Sequence, residues 1–514
     1  MTTGDTPARP AEQPAALTRR DAWTAALLAA LVAAAKIPTL GVPYLWDESI
    51  WSRGAYWLAE GSPLRAIPGL HPPATFAGHP AGLSVVAWPF LRIFGPSAEV
   101  AHAVAVAFAC LGVAVTYLLG ARLVGRATGA LAALFLLASP VYFAQAGMFL
   151  GDLPVAALGV TSAWLATERR WLPCAVASVL LVWVKETGIA VVAAVTFYLL
   201  VAHGATGRTA VPGSAARRAV AWPRSLGWRS AISYVMPPFV AAVAFFVWQK
   251  VQTGSFCCIY GTVSFDLFES SRRFYLTQLG RVLSWILLEQ GRWVLLALAA
   301  AHLLLRPAAR RRPEWVLFLL APLFFALSFA GIYYLRRYTL PALPFLCLAG
   351  AWSLTALLRQ PRARAAAGAL VIGLFLAGWR STEPIGTYEW NLRYLDVVRS
   401  HQEIYAALLE RRPPARVVSH WPHTAQLLQP QLEYVTTPMA VVSPDSPAGE
   451  GCERVILTQP PALDEQVRRH LAAGTFQSVH RIEGPGWISA ELFESRSCTA
   501  PGAGARRRAA SGGS

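Results

Sequence analysis

Apolar runs of about 20 residues recur along this chain, the length that crosses the roughly 30 Å hydrocarbon core of a bilayer as one helix. Such runs leave little choice of architecture: the chain reads as one polytopic membrane unit plus whatever lies outside the runs. Only 14% of its 514 residues are charged and 55% are hydrophobic, against a charged share of about 25% in soluble domains. The formal net charge of +17 raises the question of nucleic acid. The basic residues are nearly all Arg and stand in short clusters between the apolar runs, which encodes topology and excludes a basic nucleic-acid-binding face.

Those clusters are Arg19-Arg20, Arg122 with Arg126, Arg169-Arg170, 208–229, 306–312 and 359–364. Placing them all on the cytoplasmic side gives spans near 22–40, 98–119, 128–146, 149–167, 171–184, 187–204, 230–250, 280–305, 314–335, 339–358 and 365–380. The expected fold class is therefore an all-α polytopic membrane protein of about eleven transmembrane helices, with a small C-terminal α/β domain outside the cytoplasm. Residues 1–21 form a cytoplasmic tail, and the first span is read as uncleaved although Ala33-Ala34-Ala35 resembles a cleavage site. The segment 78–95 is short, interrupted by Pro and carries Arg92. It is read as an amphipathic helix lying in the outer interface. The first external loop then covers 41–96, and long ordered loops are usually functional.

On this topology several charged residues fall at the outer membrane face. Asp47 and Glu48 are adjacent in Tyr44-Leu45-Trp46-Asp47-Glu48-Ser49, just past an apolar run; an ordinary solvated pair is the alternative. Asp152 opens the fourth span in Gly151-Asp152-Leu153-Pro154, where capping a helix start is the alternative. Lys185-Glu186-Thr187-Gly188 divides an apolar stretch too long for one span, and Lys36, Lys185 and Lys250 are the only lysines in the chain. A Lys185–Glu186 pair capping a helical hairpin is the structural alternative there. Arg336-Arg337-Tyr338 breaks the positive-inside pattern and suggests an anion to be held, since guanidinium matches phosphate geometry; lipid headgroup contact is the alternative. Between spans, 250–281 reads as a second external segment, either a lid or an interfacial loop. Glu289 and Arg292 are expected to pair on one face of the eighth span.

Beyond Trp379 the composition becomes that of a soluble domain, 381–498, followed by a disordered tail, 499–514. Helical periodicity covers about 388–411 and 462–473, and strand-like runs occur at 416–421, 454–458, 476–482 and 487–493. Cys110, Cys174 and Cys347 fall in spans as packing residues. Cys452 and Cys498 are expected to pair if the compartment is oxidising, and the adjacent Cys257 and Cys258 to stay free. No Cys/His cluster has zinc spacing, and no P-loop or dinucleotide fingerprint occurs.

Carboxylates and basic groups on one membrane face suit group transfer from an anionic leaving group: an acid takes the acceptor's proton while Lys and Arg neutralise the departing phosphate. Cytoplasmic nucleotide sugars cannot reach that face, so a lipid-linked donor is expected. The ordered residues resemble the glycosyltransferase-C superfamily, in particular the bacterial branch similar to protein O-mannosyltransferases and aminoarabinose transferases. The matching pieces are Asp47-Glu48, His79-Pro80-Ala81-Gly82-Leu83, Ile93-Phe94-Gly95, Ser139-Pro140 before Asp152, Lys185-Glu186-Thr187-Gly188, and Arg337-Tyr338 with Leu340-Pro341. Together they cover about residues 20–360. The family usually carries His-Pro-Pro or Lys-Pro-Pro in the loop. Here His79-Pro80-Ala81 and His71-Pro72-Pro73 are separate, and either histidine could face the donor.

The resemblance implies an inverting glycosyltransferase of the bacterial cytoplasmic membrane that uses a polyprenyl-phosphate sugar, with an unidentified acceptor, the lipid bilayer as its environment and no nucleic acid. It implies Asp47 as the catalytic carboxylate, Glu48 and Asp152 assisting acceptor or a divalent metal, and Lys185, Arg336, Arg337 and His79 at the donor phosphate. Glu186 and Tyr338 are supporting residues. No cofactor is otherwise expected, and the spacing of the acids does not decide between metal ligand and base. A transporter or lipid flippase is the alternative function, although these charges sit at span ends and no inverted repeat is evident. A non-catalytic component of an envelope complex is a third.

Overall fold

The helix Asp152–Thr167 is buried along nearly its whole circumference; only Thr161 and Trp164 are half exposed. A helix apolar on all sides belongs inside a bundle, and this one sits at the centre of the larger of two units. The structure is a computed structural model that describes residues 17–67, 70–76, 78–208, 228–254, 259–260, 263–264, 272–329, 335–381, 389–411, 416–445, 452–458, 465–484 and 489–498. The larger unit gathers the chain up to Thr39, 50–95 and 101–379.

Among the described residues, five helices are long and apolar enough to cross a membrane: Arg19–Thr39, Ala98–Leu123, Ile232–Gln252, Arg336–Leu357 and Pro361–Arg380. Shorter apolar helices lie at Arg126–Ala138, Trp171–Val184, Glu186–Ala202, Trp293–Leu305 and Glu314–Ser328. With Asp152–Thr167, helices overlap the expected spans, although 128–146 is divided between Arg126–Ala138 and Pro140–Gln145 and the eighth span is broken. The shorter ones, at 1.5 Å per residue, reach only about 20–25 Å. Their packing inside the bundle compensates: Leu343–Leu357 lies against both Arg126–Ala138 and Trp293–Leu305, and Glu314–Phe329 against Ile189–Arg208.

The helix Gly82–Phe94 is one-sided as expected. Gly82, Leu83, Ser84, Ala87 and Leu91 are buried while Phe90, Ile93 and Phe94 face outward, and Pro89 is accommodated within it. Its buried side continues into a small core of Leu58, Phe76 and Ala81, flanked by Trp57, Val85 and Trp88.

Two expectations need correction. The eighth span is not one helix: Arg272–Leu287 and Trp293–Leu305 are separated by a break in which Gln290 takes φ of 54° and Gly291 φ of 81°. Glu289 and Arg292 therefore do not share the face of a continuous helix. The segment expected as an external loop, 250–281, is also helical at both ends, within Trp228–Thr253 and Arg272–Leu287. Cys257 and Cys258, Tyr333 and Tyr334, and the tail 499–514 lie outside the described residues.

The second unit gathers 40–49, 96–100 and the chain from Arg380 onward. Its five-stranded sheet has the spatial order Val441–Val442, Arg416–Val418, Glu453–Thr458, Ser489–Ser495, Phe476–Glu483. The first two pairings are parallel and the last two antiparallel, with a bulge at Ser478/His480. The alternation along Ser489–Ser495 buries Ala490 and Leu492, the period-two pattern of a strand with one packed face. Val418, Val455, Leu457 and Val467 form the core, the last contributed by helix Glu465–Ala473. Helix Tyr394–Leu409 packs against the two C-terminal strands. Cys452 and Cys498 are joined as a disulfide. The short strand Val441–Val442 and the helix His423–Leu428 were not expected from sequence.

Candidate active site

Asp152 is the first residue of its helix, where a carboxylate meets the positive end of the backbone dipole. Its role is not that of a cap. Oδ1 accepts from Lys185 Nζ at 2.6 Å and Oδ2 from Arg337 Nε at 3.2 Å. All three side chains are buried, at 5% exposure or less. Two cations thus converge on one carboxylate inside the protein. The ring of Tyr338 lies 4.1 Å from Lys185 Nζ and 5.3 Å from the Arg337 guanidinium, which adds a cation–π surface to both.

Local backbone explains how these groups meet. Helix Trp171–Val184 stops at Lys185, which is extended (φ −157°, ψ 132°), and a single 3₁₀ turn, Glu186–Gly188, leads into the next helix. Arg337 is held by the 3₁₀ segment Arg336–Ala342, which packs on helix Asp152–Thr167.

Glu186 does not pair with its neighbour Lys185 as in the hairpin-cap alternative. Its Oε2 lies 3.1 Å from His79 Nδ1, both side chains being largely buried. The His79 ring is stacked on Trp51, with centroids 5.4 Å apart and planes 12° from parallel. Trp51 also covers the start of the Asp152 helix: a Cβ on Gly151 would come within 2.8 Å of its ring. Gly82 fixes the approach of the His79 segment, since a Cβ there would lie 2.4 Å from the Trp183 carbonyl oxygen. His71 is elsewhere, edge-on to Phe76 at 4.8 Å and to Trp57 at 6.2 Å. Of the two candidate histidines, His79 is the one joined to the charged cluster.

Arg336 turns to a different partner from its neighbour. Its Nε is 2.9 Å from Glu289 Oε2, with the guanidinium over Trp285 at 5.3 Å. Arg292, from the same helix break, is almost wholly buried and donates to Thr339 Oγ1 at 3.3 Å and to the Trp285 carbonyl. The broken helix thus brackets the 3₁₀ segment that carries Arg337.

Asp47 and Glu48 belong to the second unit. Glu48 opens helix Glu48–Ala59, is 2% exposed, and its Oε2 accepts the Leu45 N–H at 2.9 Å, bracing the turn. Asp47 is half-buried in that turn. Trp46 before it takes φ of 48°, a left-handed conformation that costs a bulky residue roughly 1–3 kcal/mol. Trp421 packs edge-on to Trp46 with centroids 4.7 Å apart.

The structure therefore joins Asp152, Lys185, Arg337 and Tyr338 in one cluster and His79 with Glu186 in another, linked by Trp51. Sequence reasoning missed Trp51, for which the only signal was its place one turn into the helix after Asp47-Glu48. It also missed Trp421 and Gln426, which carry no charge. Among the described residues no group of three or more His, Cys, Asp or Glu could hold a metal ion.

Comparison with known proteins gives a local family match and a shared fold. The model of the dolichyl-phosphate-mannose-protein mannosyltransferase family matches residues 78–216, a stretch that contains His79, Asp152, Lys185 and Glu186. The fold is that of the glycosyltransferase-C proteins, multi-pass and membrane-embedded. In particular, it superposes on ArnT from Cupriavidus metallidurans bound to undecaprenyl phosphate, with TM-score 0.56, 15% identity, and coverage of 94% of this chain and 99% of that one. The apo state of the same protein gives 0.54, 14%, 94% and 100%. The oligosaccharyltransferase of Archaeoglobus fulgidus is a more remote likeness, at 0.44, 13%, 82% and 62%. No curated protein matches by sequence.

Proposed function

We propose that the chain is a membrane-embedded glycosyltransferase that moves a sugar from a polyprenyl-phosphate donor to an extracytoplasmic acceptor. The observation that carries this reading is the buried group in which Lys185 and Arg337 converge on Asp152. The phosphate of a lipid-linked donor gains negative charge as the glycosidic bond breaks. Preorganised cations therefore stabilise the transition state more than the ground state.

In this reading Lys185 and Arg337 hold the donor phosphate and Asp152 positions both. His79, oriented by Glu186 through Nδ1 and by the Trp51 ring, presents Nε2 to the same phosphate. Arg336, held by Glu289, adds a second basic group at the site's edge. Asp47, by the ordered motif set, is the base that takes the acceptor's proton as the hydroxyl or amine attacks the anomeric carbon, and Glu48 braces its turn. Attack opposite the departing phosphate gives inversion. The ArnT-like fold and the apolar helices support a multi-pass membrane protein, and the Cys452–Cys498 disulfide supports an oxidising, extracytoplasmic location for the C-terminal domain.

Binding of undecaprenyl phosphate to purified protein tests the central feature. Wild type binds, and Lys185→Met and Arg337→Met each weaken binding by about 10- to 100-fold, the worth of a charge-assisted hydrogen bond. Binding that is unchanged in both variants sinks the assignment of the phosphate site.

A further inference from the structure

The acidic turn and the C-terminal domain share one compact unit, and a directed set of hydrogen bonds joins them. Gln426, on helix His423–Leu428, donates from Nε2 to the Tyr44 carbonyl at 3.4 Å. Its Oε1 accepts from the Tyr405 hydroxyl at 2.6 Å and stands 3.0 Å from His401 Nδ1. The Tyr44 carbonyl can only accept, so the NH₂ faces it and Oε1 faces the Tyr405 hydroxyl, which must then donate. Tyr405 spends its single proton on Gln426, so His423 Nδ1 is the donor in the bond between His423 and the Tyr405 oxygen. His423 Nε2 then accepts from Thr458 Oγ1 at 3.3 Å, at the end of the central strand Glu453–Thr458. Every member is buried apart from Thr458.

Three further contacts bear on the same turn. Trp421 meets Trp46 edge-on. The Tyr44 hydroxyl donates to the Ser97 carbonyl at 3.3 Å, and Glu433 accepts the Ala98 N–H at 2.8 Å. A left-handed Trp46 does not persist in an isolated loop; surrounding structure has to impose it.

We propose that the C-terminal domain is a positioning element for the catalytic turn: Trp421 and Gln426 hold Trp46 and Tyr44 so that Asp47 is presented in one geometry. This rests on the reading of Asp47 as the base. Neither residue touches a reacting atom in this scheme. They act through the backbone at 44–46, so their loss lowers turnover and leaves donor binding alone.

The test uses full-length protein in detergent, with amide hydrogen exchange of the peptide covering 44–49 measured beside transfer kinetics. Gln426→Glu keeps the acceptor for Tyr405 and removes the donor to Tyr44; Trp421→Ala removes the edge contact, and Trp421→Phe retains it. The expected result for Gln426→Glu and Trp421→Ala is exchange at 44–49 at least about tenfold faster. Their kcat falls about 10- to 100-fold, donor KM stays unchanged, and exchange in Leu343–Leu357 is unaltered. Trp421→Phe restores both readouts. Unchanged exchange at 44–49 overturns the proposal, as does faster exchange with undiminished kcat. If Trp421→Ala does not fold, Gln426→Glu decides alone. Full transfer by Asp47→Asn, by contrast, overturns the assignment of the base while the exchange data still judge the tether.

Discussion

The Asp152 carboxylate engages both Lys185 and Arg337, so each residue of the three fails differently when removed. Asp152→Asn leaves two buried cations facing each other and is expected to destabilise the protein by about 3–5 kcal/mol, read as a lowered unfolding midpoint. Added undecaprenyl phosphate should recover part of that loss, because an anion again stands between the cations. Absence of any recovery would mean that no phosphate enters there. The charged residues themselves were legible in the sequence, since acids are scarce and lysines number three. Their partners were not. Adjacency suggested Lys185 with Glu186, but the extended backbone at Lys185 turns neighbouring side chains apart, and each finds its partner on another element.

At the scale of elements, Gly82 and Gly373 make a direct contrast. Gly82 sits where a Cβ would collide with backbone at Trp183, whereas a Cβ at Gly373 meets nothing within 4 Å. Gly82→Ala should therefore cost about 1–3 kcal/mol and reduce transfer through displacement of His79 from Glu186. Gly373→Ala should be neutral or stabilise by about 0.5–1 kcal/mol; thermal unfolding of the two variants in one detergent separates them. Helix positions were readable because apolar runs bounded by Arg clusters leave little freedom. The break at 288–292 is signalled by the polar, Gly-containing run Glu289-Gln290-Gly291-Arg292, although its i,i+3 spacing suggests instead an ion pair on one continuous helix; the positive φ at Gln290 and Gly291 shows the helix ending there. Glu289 consequently meets Arg336 from a different segment.

Across the whole molecule, the least legible feature was the membership of the acidic turn in the C-terminal unit. The Gln426–Tyr44 bond joins residues 382 positions apart, and no local periodicity records such a contact. Burial beside His401 and His420 holds His423 well below the usual imidazole range. The folded unit thus refuses a proton that the unfolded chain accepts below about pH 6.5. Stability from this group is complete above that pH and declines as pH falls toward the depressed value. The protection of amides in strand Glu453–Thr458, corrected for the intrinsic exchange rate at each pH, should fall between pH 7.5 and 5.5, and less so in His423→Gln. Reduction of Cys452–Cys498, whose partners are 46 residues apart, should remove about 4 kcal/mol from the same unit by the chain-entropy estimate.

The central claim is lipid-linked sugar transfer with Asp47 as base. Its most direct test is transfer of label from radiolabelled polyprenyl-phosphate sugars in membranes containing wild-type protein or Asp47→Asn. Label is expected in an acceptor, or released as free sugar, with wild type alone. Equal transfer by the two proteins would contradict the assignment of Asp47, and no transfer by wild type from any common donor would turn the reading toward a transporter.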